Sequence, residues 1–231
     1  MTGLGARLRR AAVPLVAVVA LALSGGWLAV RGEPAGWSTG AYPDGGGFST
    51  MLGGAGMMGG AGTMGLGGDG RSVRDLDAAR ARVERFADQL DPGLRVGEVM
   101  RFANHYYAEV QTAAGAGVTE VLVDGRSGAV STEPGPAMMW NTRYGLDRGP
   151  VAGAGPDAEL TKAQAGEAAQ RWLRQTNRDV TVDAAEAFPG YYTLHTLKNG
   201  RIDGMLSVQM ATGVVWYHSW HGQFREMAEP K

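Results

Sequence analysis

A segment built around Tyr106–Tyr107 and Gly128 recurs 85 positions later, around Tyr191–Tyr192 and Gly213. The same offset carries Val123 onto Val208 and Val130 onto Val215 without a gap. Two copies of one small unit in register imply duplication of a module, which restricts the fold far more than length does. A chain organised this way reads as a tandem binding or regulatory domain, not as an enzyme built around a cleft of acids and bases.

The residues inside each copy read as helix followed by sheet. In the first, Ser72 or Asp75 caps an amphipathic run to Leu90, with Ala79, Val83, Phe86, Ala87 and Leu90 on one face. Strands follow at 94–100, 106–112 and 119–123, and the tight turn Asp124–Gly128 leads into a return strand at 129–132. In the second, Thr161 caps a helix through Asn177 with Ala165, Ala168, Ala169 and Trp172 buried. Its strands fall at 180–188, 191–197, 202–209 and 214–219, and Asn199-Gly200 marks a two-residue hairpin because both residues tolerate positive φ. One helix on a small antiparallel sheet, twice, is an α+β architecture.

The tract EVLVDGRSGAV (120–130) and its partner MLSVQMATGVV (205–215) resemble the strand–turn–strand signature of PepSY domains. The resemblance covers roughly residues 73–133 and 159–221. It implies a non-enzymatic module of the kind found in propeptides of secreted metalloproteases and in membrane-anchored bacterial proteins. It carries no catalytic residues over, and the chain has no His-Glu-x-x-His zinc motif for such a module to inhibit.

Outside the copies, Arg7, Arg9 and Arg10 precede an apolar run, Ala11–Val30, broken only by Ser24, Gly25 and Gly26. Such a run is long enough to span a bilayer as a helix, and the preceding arginines place the N-terminus in the cytoplasm. A cleavable signal peptide is the other reading, with Ala20-Leu21-Ala22 near the cleavage point; Trp27 and the length favour a retained anchor. Either way the remainder is periplasmic or extracellular. Residues 32–71 hold many of the 37 glycines, lack any period, and read as a flexible linker. The resulting organisation is anchor or signal segment 1–31, Gly/Met-rich linker 32–71, first repeat 72–133, inter-repeat segment 134–158, second repeat 159–224 and tail 225–231.

Composition removes several functions. A net charge of −1 gives no basic face for nucleic acid. With no cysteine there is no disulfide, thiolate metal site or cysteine nucleophile. Glu98, Glu109 and Glu120 are scattered over predicted strands, and no Gly-x-Ser-x-Gly elbow or phosphate-cradling loop occurs.

What chemistry remains lies in methionine and histidine, a donor set that suits copper outside the cell. Met51, Met57, Met58 and Met64 in the linker read either as thioether ligands for Cu(I) or as a plain spacer. Met138 and Met139, with Trp140, read either as a seal between the repeats or as part of a metal site. Three of the four histidines, His195, His218 and His221, fall in the second copy. A hairpin centred on Asn199-Gly200 pairs Leu194 with Met205, and a tight turn at 211–213 places Met205 beside His218 on one face. His195 then points the other way, and His221 joins His218 only if the chain turns after Ser219. His218 is otherwise a buried histidine with a hydrogen-bond partner. The expectation is a membrane-tethered binding or regulatory protein for a protein or peptide partner. Copper binding at Met138, Met139, Met205 and His218 is the alternative.

Overall fold

A computed structural model of the chain describes residues 65–146 and 159–230. The apolar run 11–30 and the linker methionines Met51, Met57, Met58 and Met64 lie outside the described residues. The fold is α+β, with antiparallel sheets and few helices.

Strand β1 (Gly65–Leu66) precedes helix α1 (Leu76–Leu90), which is followed by β2 (Arg95–Phe102), β3 (Tyr106–Gln111), β4 (Gly117–Val123) and β5 (Val130–Thr132). A short helix α2 (Pro136–Met139) comes next, then helix α3 (Lys162–Gln175). The remaining strands are β6 (Thr181–Val182), β7 (Glu186–Phe188), β8 (Tyr191–Lys198), β9 (Arg201–Gln209), β10 (Val215–Tyr217) and β11 (Phe224–Ala228).

Both long helices start where the side chains say they should. Asp75 accepts from the Ala78 amide, and Thr161 and Gln164 form a reciprocal capping box. The apolar stripe of α1 (Ala79, Val83, Phe86, Ala87) packs on Val99, Ala108, Val110, Val121 and Val123 of the first sheet. That of α3 (Ala165, Ala169, Leu173) packs on Tyr192, Leu194, Leu206 and Val208 of the second.

The first sheet runs β1-β5-β4-β3-β2-β11; the second runs β10-β9-β8-β6, with β7 also on β8. Their helix-free faces meet. Met100, Phe102, Tyr107 and Leu122 of the first sheet pack with Met205 of the second, and Phe188 and Tyr191 pack with Ala137. The layers are therefore helix, sheet, sheet, helix.

Three boundaries differ from the sequence reading. Phe224–Ala228, which straddles the expected boundary between the second repeat and the tail, is strand β11 and pairs with β2 at the edge of the first sheet. Gly65–Leu66, within the expected linker, pairs with Ser131 and Val130 of β5. The strand expected at 180–188 is two strands, because pairing with β8 lapses after Asp183, whose amide still donates to the His195 carbonyl, and resumes at Glu186.

Candidate functional site between the two sheets

Strand alternation assigns each sheet two faces. Val110 and Val121 point at α1, so their neighbours Glu109 and Glu120 point at the other sheet. Glu109 and Glu120 are direct cross-strand partners, which sets two carboxyls against each other in a covered layer. A one-residue bulge between Val96 and Val99 turns Glu98 to the same side. Gly97, in that bulge, has no room for a side chain: a Cβ there would meet the Gln111 amide at 2.6 Å and Glu109 Oε2 at 3.0 Å.

At one side of this layer lies a buried centre. Glu133 follows β5, and its amide continues the ladder to the Glu120 carbonyl. His218 follows β10, its amide donating to the Met205 carbonyl at 3.0 Å. The chain then turns, and the His221 amide approaches the His218 carbonyl at 3.4 Å. That turn brings both rings to one carboxylate: His221 Nε2 lies 3.0 Å and His218 Nδ1 3.4 Å from Glu133 Oε1. These are ion-pair distances, but the approach is off the hydrogen-bond line. His218 Nδ1, His221 Nε2 and Glu133 Oε2 are all buried without a hydrogen-bond partner.

The opposite ring nitrogens are held. His218 Nε2 lies 2.9 Å from Ser207 Oγ, which is 2.8 Å from Thr193 Oγ1. His221 Nδ1 lies 2.7 Å from His105 Nε2. Trp220 stacks on His218 at 4.6 Å and donates its indole N–H to Glu133 Oε1, while Phe102 stacks on His221 at 4.2 Å.

The electrostatics follow from burial and neighbours. Burial alone would raise Glu133, yet the imidazoles of His218 and His221 outweigh it and hold the carboxyl well below the usual carboxylate range. Burial and the adjacent Glu133 push Glu120 up to about 7, against the pull of His218 and of the Tyr107 hydroxyl, which donates to it at 2.6 Å. Burial lowers His105 to about 3, and burial lowers His221 too, against the pull of Glu133.

At the other side the layer opens into a cleft of about 410 Å³. Glu98, Glu109, Asp183, Glu186 and Glu229 line it with His195, and no lysine or arginine is among the described residues lining it. Glu98 Oε1 pairs with His195 Nε2 at 3.0 Å. Burial would lower His195, but Glu98, with Glu109 and Asp183 behind it, raises it above its ordinary value. Burial, then Glu98 and Glu120, raise Glu109 to about 8.

The residues singled out from sequence fare unequally. His218 belongs to the buried centre, and Met205 is its backbone neighbour, as the hairpin register implied. Met138 and Met139 lie on α2, where Met139 is 45% exposed. The expected Leu194–Met205 pairing is corrected by an irregularity between Thr196 and Leu197. It shifts the register by one and sets His195 opposite Met205, on the face it was expected to leave. Sequence reasoning passed over Glu133, His105 and the Glu98–Glu109–Glu120 series. Of these, Glu109 and Glu120 carried a signal, since each stands inside a largely apolar strand. Compared with family models, curated proteins and solved structures, this chain matches none.

Proposed function

We propose that this chain is a membrane-tethered, extracytoplasmic, non-enzymatic binding protein of two PepSY-like units, and that it takes up a positively charged ligand between its sheets. The observation that carries the reading is the cleft: five carboxylates and a histidine line it, with no fixed positive side chain among its described lining residues. Glu98 and Glu109 are buried and Asp183, Glu186 and Glu229 exposed; His195 pairs with Glu98 and Lys162 with Glu186, and a cationic ligand complements the carboxylates that remain. Glu109, protonated up to about pH 8, gives up its proton to an entering cation, so uptake strengthens as pH rises towards that value. Tethering rests on Arg7, Arg9 and Arg10 ahead of Ala11–Val30. Among the described residues no helix is long and apolar enough to cross a membrane. Copper held through methionine sulfur is the second reading, favoured by Met205 lying beside His218.

The test is the melting temperature of the full chain in mild detergent, with Mg²⁺, spermidine or arginine amide added as probes, beside Glu98→Gln/Glu109→Gln. At least one probe raises the wild-type melting temperature, and the variant needs about tenfold more of it. A wild-type chain indifferent to every cation contradicts the reading.

A further inference from the structure

We infer that Glu133, His218 and His221 are the ligands of a divalent transition-metal ion of the zinc or copper(II) class. This goes beyond the cation-binding reading above, because none of the three residues lines the cleft on which that reading stands. Ligand atoms of the three residues lie within 4.8 Å of one another, and all three side chains are essentially inaccessible. A tetrahedral ion with bonds of about 2.0–2.1 Å places its ligand atoms roughly 3.3–3.4 Å apart. The two separations from Glu133 Oε1, 3.0 and 3.4 Å, come within tenths of an ångström of that spacing, and the two ring nitrogens lie within 4.8 Å of each other.

The orientation of the rings is the second, independent observation. In a metal site each ligating imidazole presents one nitrogen to the ion while its other nitrogen is fixed by a neighbour. Here Ser207, backed by Thr193, fixes His218 through Nε2, and His105 fixes His221 through Nδ1. That leaves Nδ1 and Nε2, the two unpartnered nitrogens, directed at the carboxylate. The two ring nitrogens are buried without a hydrogen bond beside Glu133 Oε1, which itself accepts the Trp220 indole N–H; an ion gives both nitrogens a partner.

The donors also select the class of ion. Two imidazoles and a carboxylate suit a borderline divalent ion, whereas Cu(I) prefers sulfur. Three protein ligands leave the fourth position of a tetrahedral ion to a water or another donor.

The experiment is a Co²⁺ titration of the full chain in mild detergent, followed by the visible d–d absorption of the bound ion and by displacement with Zn²⁺. It is run beside Glu133→Gln, His221→Gln and the supporting-residue variant His105→Gln, each checked for folding by circular dichroism. The wild type takes one equivalent with an intense low-symmetry spectrum. Glu133→Gln and His221→Gln weaken binding about 100-fold or more, and His105→Gln weakens it about 10–100-fold. Equal affinity and spectrum in the wild type and all three variants overturn the site, as does a wild type that binds neither ion. In that last case a spermidine or arginine amide response of the cleft leaves the wider cation-binding reading standing; absence of that response as well removes both.

Discussion

Each sheet of this protein has two covered faces, and they are filled in opposite ways. Against α1 and α3 the contacts are Val, Ala, Leu and Phe, with Val83, Val99, Val121, Leu173 and Leu206 fully buried. Between the sheets Met100, Phe102, Leu122 and Met205 share the layer with the buried polar side chains of Glu98, Glu109, Glu120, Glu133, His218, Tyr107 and Tyr191. Burial at roughly 25 cal/mol per Å² of apolar surface makes the helix faces the source of stability. The inner layer works against that, since carboxyls pressed together must shift their titration to stay buried. Two kinds of burial in one small body separate the purely apolar faces from the layer that carries the buried titratable groups.

The contrast predicts different signatures for substitutions on the two sides. Leu173→Ala, on the helix side, opens a cavity and costs about 2–5 kcal/mol, nearly independent of pH, as denaturant melts will show. Glu109→Gln, in the inner layer, acts in the other direction and only at higher pH. Burial, with Glu98, Glu120 and Glu186 facing it, raises this carboxyl from 4.5 to about 8, so the folded chain keeps a proton the unfolded chain has lost. Wild-type stability therefore falls as pH rises from about 4.5 to about 8. Removing the carboxylate restores on the order of 2–4 kcal/mol at pH 9 and almost nothing at pH 4. His195 adds to the same slope. Its raised value means its contribution is complete below 6.5 and is lost as pH climbs through its folded value. A melting temperature flat between pH 5 and 9 would erase the distinction between the layers.

Smaller effects sharpen the boundary of the comparison. Thr161→Ala removes the capping box of α3 and costs about 1 kcal/mol at any pH, because the cap lies outside the inner layer. Arg101→Ala breaks an exposed pair with Glu226 that joins β2 to β11, and melts within about 0.5 kcal/mol of wild type.

The helices were legible because their signals are local. Asp75 and Thr161 cap as read, and Asn199 and Gly200 take φ of 53° and 73° in the expected hairpin. Gly128 and Gly213, the recurring glycines, both sit at φ of 70°. What sequence reading missed depends on distant partners. The register irregularity that turns His195 inward has no local mark, and β11 finds its partner more than a hundred residues back along the chain. Arg80 shows the same limit. On a helical wheel it belongs with the solvated arginines, yet it is buried, donating to the carbonyls of Val96, Gly97 and Glu229 and tying the bulge to the end of β11. The histidine centre needed one fact, a turn at Ser219–Trp220, and nothing in that Ser-Trp pair announces one. Glu133 stood just past a strand read as ending at Thr132, and its pairing with His218 and His221 spans more than eighty residues.

The central claim is that the layer between the sheets receives a cation. The measurement that meets it most directly is a crystal structure of the full chain grown with Co²⁺ or Zn²⁺, with the ion located by its anomalous scattering. A strong peak is expected between the sheets, bounded by Glu133, His218 and His221. Peaks confined to outer-surface carboxylates, with the inner layer empty, would contradict it.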